Sequence, residues 1–302
     1  MKLFSHNSVS WKDYEEQVFR ECRRVFYFKE VEIIKNAHIV GRYSGVKRQI
    51  DVLIKQLEDG IVVSSILIEC KHYRQKIDVK IVDAFVGCMI DVGAEKGVIV
   101  SERGFTKAAI SRAHNGKEDI EVDIMSLGDL QELQSQVAIP YSGENGLAIV
   151  SPFGWIIDGK HRGFAPAVLY RRGIPFEEAT EIEMEWRYLQ FWSKDQITLS
   201  NLIETQNECL VNIDADADIR ITEVDGLTVR EAYLPSYPTP EITIFREFDS
   251  FIVFLVLLCP ECYVQRDTKK AVDILKAAIP LIVQHHQNIW PRGGIRGFEI
   301  GD

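Results

Sequence analysis

The sequence predicts an α/β domain followed by a second, acidic α+β domain. Length, charge distribution and the order of elements carry that expectation. At 302 residues, the chain is about two domains long at roughly 150 residues each. Residues 1–139 carry 20 Lys and Arg against 21 Asp and Glu, a net charge of −1. Residues 140–302 carry 15 against 24, a net charge of −9. Helix-like and strand-like patterns alternate in the first part, whereas the second is mostly strand-like. A stretch without periodicity, residues 138–146, holds one Pro and two Gly and separates the two charge regimes.

Composition excludes several classes. With 46% hydrophobic and 26% charged residues, the chain is neither collagenous, coiled-coil nor disordered. Its longest apolar run, Phe251 to Cys259, is nine residues, and a membrane-spanning helix needs about 20. The first residues lack the apolar stretch of a signal peptide, and six cysteines are too sparse for a disulfide scaffold. A cytoplasmic setting without membrane partners is therefore expected. The net charge of −10 argues against a nucleic-acid coat, yet the near-neutral half can carry a local basic surface.

The elements follow in order. From Trp11 to about Phe28, Tyr14, Val18, Cys22 and Val25 form one apolar stripe at helical spacing, with Ser10 as N-cap. An uncertain strand lies around 37–43. Residues 47–54 read as a strand, Asp59-Gly60 as a hairpin turn, and Ile61 to Lys71 as the returning strand. Ile81, Val82, Phe85, Val86, Met89 and Ile90 mark an amphipathic helix. A short buried strand over 97–101, a helix over 105–114, a strand over 120–125 and a helix over 127–137 complete the first part. Such βαβ order implies parallel strands with helices on the sheet faces. In the second part strand-like runs appear at 147–150, 167–170, 219–224 and 228–234. A hairpin spans 242–258, and a helix is expected from Asp267 to His286, kinked at Pro280, with Val272, Leu275, Ile279 and Ile282 inward.

The informative constellation is Asp51 with Glu69-Cys70-Lys71. If Asp59-Gly60 is the turn, paired residue numbers sum to about 119 or 120, so Asp51 lies opposite residue 68 or 69. Residues two apart on a strand share a face, which brings Glu69 and Lys71 to the same side. Two carboxylates about 4 Å apart repel by roughly 4 kcal/mol at an effective dielectric near 20, so a cation between them is expected. Oxygen ligands with water suit magnesium, with manganese the alternative, and the main-chain carbonyl of Cys70 is a third ligand candidate. Such an ion lowers the pKa of a bound water and neutralises charge on phosphoryl oxygens. Lys71 would orient or deprotonate that water, or stabilise the developing charge. The flanks are basic: Arg42, Lys47 and Arg48 on one side, and His72, Arg74, Lys76 and Lys80 on the other, a landing surface for a phosphate backbone. Acid-x-Lys occurs four times in the chain, but only residues 69–71 end an apolar strand with an Asp across a hairpin.

Four blocks in order resemble the Mrr-like branch of the PD-(D/E)xK restriction endonuclease superfamily, over about residues 11–127. They are Tyr14-Glu15 in an opening helix; Gln49-Ile50-Asp51-Val52-Leu53; Ile66-Leu67-Ile68-Glu69-Cys70-Lys71-His72-Tyr73; and Gly97 to Ser101 with Gly104-Phe105-Thr106-Lys107-Ala108-Ala109. The resemblance implies a restriction-endonuclease-like core, a central mixed sheet flanked by helices. It implies that Asp51 and Glu69 bind the metal, that Lys71 is catalytic, and that Glu15 adds a second metal or water contact. The approach to the Asp, Gly45-Val46-Lys47-Arg48-Gln49, departs from the Gly-rich loop of many members. The expected activity is magnesium-dependent hydrolysis of DNA phosphodiesters, in restriction or anti-phage defence. The alternatives are an RNA or tRNA nuclease, and a non-catalytic nucleic-acid-binding or assembly protein. Residues 140–302 are expected to regulate, sense, or mediate assembly with another copy or a defence-system partner. Residues 243–286 are similar in outline to a PsbP-like fold, without a residue motif.

Weaker signals read as structure. Cys259 and Cys262 have no second pair at zinc spacing. Asp214 to Asp218 lacks the Gly and Glu of a calcium loop. His285-His286 suits a helix C-terminus, and Trp155, Trp186, Tyr188 and Trp192 are expected in a core.

Overall fold

The computed structural model describes residues 10–26, 30–115, 120–132, 137–159, 165–181 and 184–283. The chain divides into two compact units, Met1–Ser135 and Gln136–Asp302.

The first unit opens with helix α1 (Trp11–Val25). Its start is fixed by a capping box, in which the Ser10 hydroxyl accepts from the Asp13 N–H at 3.2 Å and the Asp13 carboxylate accepts from the Ser10 N–H. Strands β1 (Val31–Val40), β2 (Lys47–Glu58) and β3 (Ile61–Lys71) follow. Then come α2 (Val79–Val92), β4 (Lys96–Ser101), α3 (Lys107–His114), β5 (Glu121–Met125) and α4 (Leu127–Glu132). The five strands form one mixed sheet in the order β1-β2-β3-β4-β5. The β1–β2 and β2–β3 pairs are antiparallel, and β3–β4 and β4–β5 parallel. Leu67 and Ile99 pack with Phe85 and Met89 of α2 and Ala109 of α3. Their neighbours Ile68, Cys70, Val98 and Val100 are also buried and point the opposite way by strand alternation. Gly97 lets α2 approach closely, because a Cβ there would meet the Phe85 ring and the Met89 sulfur.

The uncertain strand around 37–43 is a ten-residue strand, Val31–Val40. Of the helix expected over 127–137, Leu127–Glu132 is helical, Val137 lies in a strand, and residues 133–136 fall outside the described residues.

The second unit begins with β6 (Val137–Ala138), β7 (Tyr141–Ser142), β8 (Asn145–Val150), β9 (Trp155–Asp158) and β10 (Ala167–Arg171). It continues through α5 (Phe176–Ala179), β11 (Trp186–Ser193), α6 (Leu199–Ile213), β12 (Asp218–Val224) and β13 (Leu227–Tyr233). The hairpin β14 (Glu241–Glu247) and β15 (Phe251–Leu258), helix α7 (Val264–Ala277) and β16 (Ile279–Ile282) close it. Seven antiparallel strands form a sheet in the order β12-β13-β14-β15-β11-β10-β9. On one face Val272 and Leu275 of α7 and Leu147 and Ile149 of β8 share a core with Leu255 and Leu257. On the other, Leu202 and Ile203 of α6 pack with Phe245 and Phe254.

Two readings are corrected here. The last helix stops at Ala277, and Pro280 does not kink it; Pro280 pairs with Leu147 in β16, an edge strand where a missing N–H is tolerated. Ile279 and Ile282, expected inward, are exposed. His285-His286 lies outside the described residues. Trp155 is buried as expected, but Trp192 is exposed.

This unit buries a cluster of charge. Arg187 is 0% exposed, stacked 4.0 Å from the Trp155 ring and 3.7 Å from the Asp267 carboxylate. Arg171 and Arg266 both reach Glu185, at 3.1 and 2.8 Å, and Arg266 also contacts Asp267 at 2.8 Å.

Candidate active site

The β2–β3 ladder sets the geometry. Its register sums to 119 near the turn and to 120 beyond an irregularity at Gln56/Leu57, ending at Val52↔Ile68. One step further, Asp51 is opposite Glu69. Where the main-chain ladder stops, the Asp51 side chain takes over: its Oδ2 accepts from the Cys70 N–H at 2.8 Å. That bond fixes the Asp51 carboxylate between the two strands and leaves Oδ1 for another partner. Two residues along, the Lys71 ammonium is paired with Glu69 Oε1, as expected for side chains on one face. Lys71 also lies 5.8 Å from the Tyr73 ring.

Helix α1 contributes through its buried face. Tyr14, Val18 and Cys22 are buried, and the Tyr14 ring lies 5.2 Å from that of His72. Glu15, the next residue, turns about 100° away and sits half-buried within electrostatic reach of Asp51 and Glu69. The Glu15, Asp51 and Glu69 carboxyls are all held above their ordinary range, chiefly by burial. Asp51 repels Glu15 and Glu69 further, whereas the Cys70 N–H and Lys71 oppose the rise at Asp51. Burial pulls Lys71 down, but its contact with Glu69 outweighs this and its net shift is upward. Asp51 and Glu69 thus face one ammonium, while Lys35, paired with Glu16 at 2.6 Å, and Lys12 only partly offset the rise at Glu15. A surplus of desolvated negative charge is what a bound cation relieves.

The basic flanks divide. Arg74, Lys76, Lys80 and Lys47 are exposed. His72 is partly enclosed, with Nδ1 3.0 Å from the Glu102 carboxylate. Arg48 donates through Nε to Asp91 at 2.7 Å, and the Arg42 guanidinium lies against Gly93, where a Cβ would collide with it.

Asp91 is the residue that sequence reading missed. It is buried in the last turn of α2, where the helix dipole disfavours an anion. Four donors offset that cost: the Tyr43 and Ser44 N–H groups at 3.1 and 3.0 Å, the Ser44 hydroxyl at 2.6 Å, and Arg48. These bonds hold its carboxyl far below the usual range. The turn from Gly41 to Val46 is thereby fixed, with Tyr43 exposed at its tip. An acid in a helix stripe that is otherwise apolar was the available signal.

Among the described residues no group of three or more His, Cys, Asp and Glu side chains is arranged to hold a metal ion, and no helix is long and apolar enough to cross a membrane.

Residues 7–135 match the restriction endonuclease family Mrr_cat. No curated protein matches the chain. Among solved structures, a protein of unknown function, AF1548, is 19% identical, covering 41% of this chain and 68% of that one at a TM-score of 0.30. Cyanobacterial PsbP from Synechocystis sp. PCC 6803 is 11% identical over 46% of this chain and 93% of its own, at a TM-score of 0.31. LpqN, involved in cell envelope biogenesis of Mycobacterium tuberculosis, is 9% identical over 50% and 95%, at a TM-score of 0.33.

Proposed function

The domain spanning residues 7–135 belongs to the Mrr-like restriction endonuclease family, and on that premise we propose that it is a magnesium-dependent endonuclease acting on DNA. One observation carries the reading: Asp51, held by the Cys70 N–H, stands opposite the Lys71-paired Glu69 at a sheet end, with Glu15 in electrostatic reach of both. The donor set fits a hard divalent ion. Asp51 Oδ1 and Glu69 Oε2 are left over from the Cys70 and Lys71 contacts. With the Cys70 carbonyl they would make three oxygen ligands, and Glu15, within electrostatic reach of Asp51 and Glu69, would contact an ion-bound water. Magnesium commonly keeps several waters, which agrees with so small a set of protein ligands. When bound, the ion would supply an activated water and neutralise charge on the phosphoryl group.

The chain's own residues do the rest. Asp51 is oriented by the Cys70 N–H before any substrate arrives. The Glu69 contact favours the ammonium form of Lys71, which suits donation to a phosphoryl oxygen as charge builds there. Lys47, Arg74 and Lys76 stand exposed for a phosphate backbone, whereas Arg48 also anchors the β1–β2 turn. The family match supports a role in restriction or defence against foreign DNA in the cytoplasm, with residues 140–302 as the proposed sensing or assembly part.

The test uses the full chain on supercoiled, linear, methylated and single-stranded DNA and on RNA, with and without magnesium. Parent protein nicks or cuts duplex DNA only with the ion. Lys71→Ala keeps the parent's circular dichroism and loses about 10²–10³ in rate. Equal cleavage by Lys71→Ala overturns the catalytic assignment, and cleavage confined to RNA overturns the substrate.

A further inference from the structure

Helix α6 does not pack evenly on the sheet beneath it. Its first half joins Phe245, Phe254 and Val256 through Leu202 and Ile203. Its second half joins Ala232 and Leu234 through Leu210, in a separate apolar cluster. Between the two lies a cleft of about 430 Å³, walled by Tyr188 and Trp192 of β11 and Phe254 of β15, with Cys209 of α6 also lining it. That volume is within the range of roughly 300–1,000 Å³ typical of small-molecule sites.

The polar end of the cleft is built. Arg230 of β13 is 2% exposed and holds four partners. It donates through Nη2 to Glu241 Oε1 at 2.6 Å and to the Thr243 hydroxyl at 2.8 Å. It donates through Nη1 to Gln206 Oε1 at 2.9 Å and to Asn207 at 3.5 Å. These bonds fix one oxygen of Glu241 and the amide oxygen of Gln206. What remains in the cleft lining is a Glu241 carboxylate oxygen as acceptor and the Gln206 amide NH2 as donor. A buried ion pair stabilises a fold little more than apolar side chains of equal volume, so stability alone does not account for it.

We propose that this cleft binds a small, neutral, planar heterocycle with an amide-type donor–acceptor edge, of nucleobase or nucleoside size. The aromatic walls take the ring faces, and Gln206 and Glu241 take the edge. Arg230 is neutralised by Glu241, and residues 140–302 carry a net −9, so the cleft favours neutral ligands over anionic ones. This inference stands independently of the nuclease reading.

The test reads alkylation of Cys209 by iodoacetamide in the full chain, resolved by mass spectrometry, with exposed Cys262 as internal reference. The probes are uridine, inosine, guanosine and adenosine, each against its 5′-monophosphate. At least one nucleoside at millimolar concentration slows Cys209 tenfold or more, leaves Cys262 unchanged, and outperforms its monophosphate. Gln206→Leu loses that protection. A Cys209→Trp chain, filling the cleft from an exposed position, gives no nucleoside saturation-transfer signal by NMR while the parent does. No protection by any nucleoside overturns the proposal. Equal protection by the monophosphates, protection of Cys262 alongside Cys209, or full protection in Gln206→Leu does so too.

Discussion

Both units take charged side chains out of water, and they do so in opposite ways. In the second unit three guanidiniums enclose two carboxylates. Glu185 meets Arg171 and Arg266, Asp267 meets Arg266 and Arg187, and no side chain in the set is more than 10% exposed. In the first unit Asp51 and Glu69 share one ammonium with Glu15 in electrostatic reach, and both members of the Lys71–Glu69 pair remain partly exposed. A dry cluster in which every charge meets an opposite one is architecture. A cluster rich in anions and open on one side suits a cationic partner. Pairing and access, rather than burial alone, tell the two apart.

Three substitutions can break or sharpen that contrast. The largest effect belongs to Asp267→Asn, which leaves Arg187 uncompensated in a dry interior. It should cost about 3–5 kcal/mol, read as a lower urea midpoint for the second unit, with nuclease rate per folded molecule unchanged. A loss under 1 kcal/mol would show that the cluster is not structural. Next, Asp51→Asn keeps an oxygen to accept from Cys70 but removes a charge. Its cleavage rate should fall by at least about 10², with the urea midpoint equal to the parent's or higher; a large loss of stability instead would erase the distinction. The smallest effect is Asp91→Asn, and it depends on pH. The Asp91 carboxyl is held below its ordinary value of 3.8, first by Ser44 and then by Arg48. A depressed carboxylate contributes stability above the unfolded value and loses it as the carboxylate becomes protonated in acid. The gap between parent and Asp91→Asn should therefore be full at neutral pH and narrow from about pH 5 down to pH 3. A gap that does not change with pH would assign the stabilisation to something other than the charge.

Much of the first unit was legible because its signals are local. The Asp59-Gly60 turn fixed the register, and the register carried Asp51 to Glu69. Strand β1 was read poorly because Lys35, Asn36 and His38 interrupt its apolar residues, and Asn36 adopts a left-handed φ of 55°. Basic residues were legible as charge but not as partners: only the fold reveals that Arg48 is tied to Asp91. In the second unit α6 was missed for a physical reason. Between Ile203 and Leu210 its sequence is Glu-Thr-Gln-Asn-Glu-Cys, which breaks the apolar stripe. Gln206 in that stretch faces Arg230 rather than a hydrophobic neighbour, so a periodicity built on burial has nothing to count. Pro280 misled because a proline after an amphipathic run reads equally as a kink or as the start of an edge strand.

The bond from the Cys70 amide to Asp51 gives one residue two allegiances. The same carboxylate that would grip an ion also closes the last rung between two strands. Fraying of that rung would disarm the chemistry before the domain as a whole let go. The exchange rate of a single backbone proton, that of Cys70, is accordingly a gauge of whether the proposed catalytic edge is assembled, legible in heavy water without any substrate at all.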